Sequence, residues 1–307
     1  MTRRSILNVL NVLATGLCAL TLVAAAPAGV ATRSAAADID WNAVAQAVGL
    51  PGTMQAGGVF RIDVPRTDLK VMLGKIRLKP AFALGGYLVF LPTTGANAML
   101  MGDLVLAEPE IERVMLKLEQ GGIDVTALHN HLLWEKPTVM YMHIHATGDA
   151  VQLAQAAHAA LALSKTPLRA KAPLSADQHV DLDTAALDQA IGVPGKVSGG
   201  VYKFSIAPKY AITSGGMTLP GSMGTATAFA FQPLGRGIAA ITGDFVLLGS
   251  QVNPVIRSLR ARGIFVTALH SHVIDAQPTV FYMHFFATGN AVVLAGSLRS
   301  AVDAMST

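Results

Sequence analysis

The chain has 307 residues, 52% of them hydrophobic and only 14% charged, which excludes a disordered protein and leaves material for two ordinary domains or one large one. Its formal charge of +4 is concentrated at the start, where Arg3, Arg4 and Arg33 precede any acid; no basic run or basic–aromatic interleaving follows, so nothing marks a nucleic-acid partner. The single cysteine, Cys18, lies in the same opening, so the rest of the chain has no disulfide, thiolate ligand or thiol nucleophile.

Residues 1–37 read as a signal peptide: two arginines, an apolar run from Ile6 to about Ala26, then small residues. "SAAA" at 34–37 and the alanines at 24–26 are two cleavage candidates. Thr2 to Leu7 resembles a twin-arginine signal, a route that carries folded proteins. The competing reading is an uncleaved anchor, since the run is about long enough to span a bilayer, although Asn8 and Asn11 interrupt it. The expectation is a periplasmic or secreted protein with no transmembrane segment once the leader is gone. A short helix follows over 40–48, capped by Asp38 or Asp40. Residues 59–64 alternate as a strand, and 86–91 and 98–106 are apolar strands around the turn "PTTGAN". Residues 108–120 form a helix with acids in its first turn, Pro109 at its start and Gly121-Gly122 after it. Two strands are expected over 124–133 and 138–147, then an alanine-rich helix over 149–164. His158 and His179 fall in helix and linker context and are expected to be solvated.

The same order then returns. "VTALHNHLLWEKPTVMYMHIHATG" from Val125 is answered by "VTALHSHVIDAQPTVFYMHFFATG" from Val266, with most aligned positions identical. Upstream, "GDLVL" at 102–106 is answered by "GDFVL" at 243–247, and "GVFRI" at 58–62 by "GVYKF" at 200–204. The chain is therefore a tandem duplication: a first unit over 38–165, a linker over 166–177 and a second unit over 178–307. The expected fold class is α+β, two tandem homologous units, each an antiparallel sheet with flanking helices, in a pseudo-twofold arrangement.

Four of the nine histidines stand in the first of these stretches, as His129-x-His131 and His143-x-His145. Residues i and i+2 of a strand share a face. A hairpin around "EKPT", with His131 opposite His143 and His129 opposite His145, would gather four imidazoles on one face. Leu128, Asn130 and Leu132 would then meet Met140, Met142 and Ile144 on the other. The second unit keeps His270, His272 and His284 but has Phe286 in the fourth place. Buried imidazole nitrogens need partners, and a divalent transition metal (zinc, copper or iron) satisfies several at once. Three histidines with an open position is a catalytic arrangement and four is more often structural; the second unit is then the reactive one, or both units contribute to one site at their interface. Asp103 and Asp244, each after a glycine, are candidates to orient a ligating histidine. Glu135 and Asp275 are candidate acid/base groups near a metal-bound water, and Tyr141 and Tyr282 share the imidazole face. The readings in competition are a transition-metal-binding protein, which could also be a metal-dependent enzyme, and a cofactor-free module for a small cell-envelope ligand. The oligomeric state is open. No nucleophile elbow, Walker loop, dinucleotide fingerprint or H-E-x-x-H helix occurs. The glycine-rich stretch over 215–229 reads as hairpin loops at the mouth of a pocket.

The elements "GDLVL", "VTALHNH" and "PTVMYMHIHATGDA", with an alanine-rich terminal helix, resemble the LppY/LpqO family, a bacterial group of unknown function, once per unit. That resemblance implies export and, in the family, lipid anchoring. Here the chain departs: Leu17, not a small residue, precedes Cys18.

Overall fold

The computed structural model describes residues 38–169 and 179–306; the signal-peptide reading of 1–37, Cys18 included, and most of the expected linker lie outside the described residues. In the first repeat Asp40 caps α1 (Trp41–Val48), accepting from the amides of Asn42 and Ala43. There follow β1 (Gly52–Gln55), β2 (Val59–Pro65), the short strands β3 (Met72–Leu73) and β4 (Ile76–Arg77), and the single turn α2 (Pro80–Ala83). Then come β5 (Gly85–Pro92), β6 (Asn97–Ala107), α3 (Ile111–Gln120), β7 (Asp124–His129), β8 (Glu135–Lys136), β9 (Val139–Asp149) and α4 (Ala150–Leu161). The second repeat runs α5 (Thr184–Ile191), β10 (Lys196–Ser198), β11 (Val201–Ile206), β12 (Thr213–Ser214), β13 (Met217–Thr218), β14 (Thr227–Gly235) and β15 (Ile238–Leu248). It closes with α6 (Gly249–Arg260), β16 (Phe265–His270), β17 (Val280–Asn290) and α7 (Ala291–Asp303). Each repeat forms a six-stranded antiparallel sheet, in the orders β1-β2-β5-β6-β9-β7 and β10-β11-β14-β15-β17-β16. The expected α+β duplication is thus the architecture observed.

The period of two along the strands decides the layers. In β6, Ala98, Leu100, Leu104 and Leu106 enter a core with Val44, Val114, Leu118 and Leu153 of the helices. The alternate residues Met99, Met101 and Val105 face the other repeat. In β15, Ile241, Phe245 and Leu247 meet helices α5–α7, while Ala240 and Val246 turn inward. The inward residues of both repeats merge into two shared cores. One joins Val105, Val139 and Tyr141 to Val201, Ala230 and Ala240; the other joins Val89, Met99 and Met101 to Val246, Val273 and Tyr282. Helices lie outside and two sheets meet inside, and the histidines stand between the two shared cores.

The hairpin expected around "EKPT" does not form as read. Strand β7 ends at His129, and its register against β9 sets His129 opposite Tyr141, Ala127 opposite His143 and Asp124 opposite His145, with a bulge between Val125 and Ala127. The chain leaves the sheet because Glu135 and Lys136 pair with Leu73 and Met72 instead of with β9, and Trp134 turns it at φ 69°. Strand β16 carries the same bulge and stops at His270. Since β7 is an edge strand, Leu128 is 40% exposed and does not pack as expected. His158 is not solvated either: its Nδ1 lies 2.8 Å from the carbonyl of Val48 and ties α4 to the end of α1. No helix among the described residues is long and apolar enough to cross a membrane.

A buried ion pair pins the first repeat. Arg66 donates to Glu110 at 2.7 Å, to the Val105 carbonyl at 2.8 Å and to both oxygens of Asp68 at 2.9 Å. Burial alone would raise the Glu110 pKa, but hydrogen bonds from Arg66 and from the amides of Lys165 and Ala107 hold it below the usual value. Removing Arg66 strands a buried carboxylate, so Arg66→Ala should lose about 3–5 kcal/mol in urea denaturation at pH 7. A carboxyl whose folded pKa is depressed stabilises above its unfolded pKa. The difference between wild type and variant should therefore shrink as the pH falls through the Glu110 value.

Candidate metal centre

The centre is assembled from both repeats. Strand alternation puts His143 and Asp103, paired across β9 and β6, on the inner face; His284 and Asp244 pair likewise across β17 and β15. The glycine before each aspartate is required by close strand approach: a Cβ on Gly243 would lie 2.1 Å from the Ala228 carbonyl, and one on Gly102 2.9 Å from that of Tyr87. His129 and His270 end the bulged strands. His131 and His272 sit just beyond, on loops held from across the interface. Thr126 Oγ1 donates to the His272 carbonyl at 2.6 Å, and Thr267 Oγ1 donates to the His131 carbonyl at 2.5 Å. These reciprocal bonds between equivalent residues are the pseudo-twofold relation seen at atomic scale.

The imidazoles interleave. His129 stacks on His270 with ring centroids 3.4 Å apart, His143 on His272 at 3.6 Å and His131 on His284 at 3.8 Å. Tyr141 backs His131 and Tyr282 backs His272, each at 3.3 Å. The donor atoms group in sets that lie within 4.8 Å of one another. One is His129, His131 and His284; its counterpart, His270, His272 and His143, is extended by His129. Two further sets are Asp103 with His131 and His143, and Asp244 with His272 and His284. Carboxylate oxygens stand 3.7 Å from His131 Nε2, 3.9 Å from His143 Nε2 and 3.6 Å from His272 Nε2. That is too far for a hydrogen bond and near the ~3.4 Å that separates two ligands of one tetrahedral ion.

Proton placement fits the same picture. His284 Nδ1 lies 2.9 Å from the Gly243 carbonyl and His129 Nδ1 3.1 Å from that of Asn130; His143 has a backbone partner in Gly102. An Nδ1–H turned to a carbonyl leaves Nε2 as the lone-pair atom. The Nε2 atoms of all six histidines are buried and without a hydrogen-bond partner, as are one oxygen each of Asp103 and Asp244 and the Tyr282 hydroxyl. Burial lowers the histidine pKa values, to about 4 for His129, about 3 for His284 and well below the usual value for His131, His143 and His272; His270 is lowered too. Burial likewise raises Asp103 to about 7 and Asp244 well above its ordinary range, the latter with help from Asp103.

Three of the expected site residues fall elsewhere. His145 faces a separate cleft with Glu119, Asp124, Thr126 and Asp275, because the register places Asp124 opposite it and its equivalent, Phe286, turns into the shared core. Glu135 is buried where β8 joins β3, and burial raises its pKa. Asp275 accepts from Ser214 Oγ at 2.6 Å and the Gly215 amide at 3.0 Å, which holds its pKa low. Asp275 anchors its histidine loop, Glu135 sits where the other loop pairs with β3, and neither belongs to the donor sets of the centre. Tyr141 shares the imidazole face, but its hydroxyl is bonded to the Ala83 carbonyl.

A cavity of about 340 Å³ opens above the centre, with Asp103, Asp244, His131, His272 and His284 on its floor. Gly221, Ser222, Gly224, Ala226 and Ala228 of the glycine-rich stretch line it, as expected of a pocket mouth. Arg61, Lys203 and Tyr87 also line it and were missed from sequence. The available signal was a cation at the same place in "GVFRI" and "GVYKF".

The family described as "Domain of Unknown Function (DUF1259)" matches residues 42–163 and again 185–304, and the chain belongs to it, in two copies. No curated protein matches the chain. Among solved structures, the trimeric bacterial microcompartment shell protein PduB is 11% identical over 84% of this chain and 91% of its own, with a TM-score of 0.22. EtuB from Clostridium kluyveri is 11% identical over 83% of this chain and 90% of its own, with a TM-score of 0.20. Likeness at that level supports no statement about fold, assembly or partner.

Acid should destabilise the metal-free chain through these histidines. Each binds a proton in the unfolded state near pH 6.5 but resists it when folded, so stability is full above that pH and is lost as the pH falls toward about 4. The raised Asp103 and Asp244 act with the opposite sign, but six imidazoles outnumber two carboxyls. Calorimetric melting of chelator-treated protein should show the midpoint falling steadily as the pH drops from 6.5 to 4, and declining again above pH 7 as Asp103 and Asp244 give up their protons.

Proposed function

We propose that this protein binds transition-metal ions between its two repeats, through His129, His131, His143, His270, His272 and His284 with Asp103 and Asp244. The observation that carries this reading is the convergence of six buried, unpartnered imidazole nitrogens from both halves of the chain. At about 1–3 kcal/mol for each unmet buried group, six cost on the order of 10 kcal/mol, comparable to the whole net stability of a domain. A bound ion of the zinc class returns about 10–16 kcal/mol. Hydrophobic side chains would fill the same space without that cost.

The donor set is imidazole and carboxylate with no thiolate, which suits zinc, copper or iron. The sets come in pseudo-twofold pairs, so the reading is two equivalent ions, each with three imidazoles and a carboxylate at hand. The leader reading supports export to the periplasm or medium, with working units over 38–165 and 178–307. Kinship with the LppY/LpqO group fits the two-copy family and belongs to the same proposal.

Elemental analysis of protein exported by its own leader tests this, with about two transition-metal ions per chain expected. His131→Ala and His272→Ala remove equivalent ligands and should each weaken binding by more than the ~10–100-fold that outer hydrogen-bond partners carry. His145→Ala should keep full metal content. Full metal content in both the His131 and His272 variants would sink the assignment, and a metal-free native protein would favour a cofactor-free ligand module.

A further inference from the structure

The two repeats agree at the floor of the cavity and disagree at its wall. Arg61 on β2 and Lys203 on β11 stand at the same place in "GVFRI" and "GVYKF", and both line the cavity. They are close enough for the Arg61 charge, after burial, to push the Lys203 pKa down. Arg61 lies over the Tyr87 ring at 4.2 Å, and its Nε is taken by Asp63 at 2.7 Å. Tyr87 pairs with Asp103 across the first sheet; in the second, the residue paired with Asp244 is Ala228. One wall is thus filled by a phenol and the other is left open by a methyl group. The Asp244 side chain is correspondingly more exposed than that of Asp103, at 18% against 9%.

An open space over a cation centre, with two further cations converging on it, suits a negatively charged guest. The guanidinium fork and the ammonium both match oxyanions. Phe82, Ala226, Ala228 and Ala230 give the remaining wall an apolar character, and the volume is that of a small-molecule site. We infer that this cavity binds a small organic oxyanion, a carboxylate or phosphate ester, with one oxygen toward the proposed ions and others on Arg61 and Lys203. The inference rests on the metal reading for its floor but on Arg61, Lys203 and Ala228 for its selectivity.

Isothermal titration of the full mature chain with inorganic phosphate, phenyl phosphate and benzoate tests it, with metal content measured on the same samples. At least one probe should bind metal-loaded wild type at one per chain, and the preferred probe tells phosphate from carboxylate and simple ion from organic ester. The Arg61→Ala/Lys203→Ala variant should bind at least tenfold more weakly with unchanged metal content. Ala228→Tyr, which installs the residue the first repeat already tolerates, should abolish binding of the organic probes and also keep its metal. Failure of all three probes to bind wild type overturns the inference, as does wild-type affinity in the double variant. If the wild type carries no metal, the metal reading fails separately; binding that still depends on Arg61 and Lys203 would uphold the oxyanion site, and binding that does not would overturn it.

Discussion

Two threonine hydroxyls, each reaching across to the other repeat, fix the geometry on which the centre depends. His131 and His272 lie on loops beyond the sheets, outside the strand ladders that set the other four histidines. The Thr126 hydroxyl on the His272 carbonyl and the Thr267 hydroxyl on the His131 carbonyl hold them from across the interface. Each threonine can reach because it occupies a bulge, which re-aims its side chain out of the regular alternation. The two all-histidine donor sets each draw on both repeats, and the closest imidazole stacks across the interface take one ring from each. Duplication here gives one centre to which both repeats contribute.

Burial then works on both kinds of ligand at once and leaves them poised. It keeps the imidazoles neutral, with lone pairs available, and keeps a proton on carboxyls that would otherwise repel each other. Asp103 and Asp244 are near enough for each to matter to the site electrostatics, and a cation between them removes the reason for either to stay protonated. Metal binding and proton release are coupled in such a site. The stacked tyrosines limit the freedom of His131 and His272 further, and Tyr141 is itself tied to Ala83 in the wall beside the cavity.

Much of this was legible in the sequence and the rest was hidden for identifiable reasons. The apolar run over 98–106 gave the strand, and the repeated Gly-Asp within it singled out Asp103 and Asp244, which the sheets pair with His143 and His284, because both signals are local. The register of the histidine strands was not local. It follows from the pairing of Glu135 and Lys136 with Met72 and Leu73 far upstream, and from a bulge at a threonine that looks like any strand residue. His143-x-His145 therefore read as one ligand pair, whereas the sheet sends His143 to the centre and His145 to a different cleft. Glu135 and Asp275 attract notice as acids near histidines; Asp275 instead ties its loop to Ser214 and Gly215, and Glu135 is buried where its loop pairs with β3. Arg61 and Lys203 escaped because a conservative cation change inside a strand motif reads as a solvated face until the opposite sheet is in place.

Agreement between the copies is weak support for a role, since duplication copies packing residues as faithfully as ligands. Disagreement is more informative when it has a direction. Phe286 replaces His145 outside the centre, where a half-buried aromatic packs against the core between the sheets. Ala276 replaces Glu135 in a loop that Asp275 now anchors through Ser214. Ala228 replaces Tyr87 inside the cavity, and the space it leaves is not refilled by another side chain. The first two changes preserve packing by a different contact. The third leaves room directly above the donor atoms while the histidines and aspartates beneath stay paired across the pseudo-twofold axis. A purely structural cluster gives no reason to empty one side of its roof; a floor that holds ions and a mouth that admits a guest from one side does.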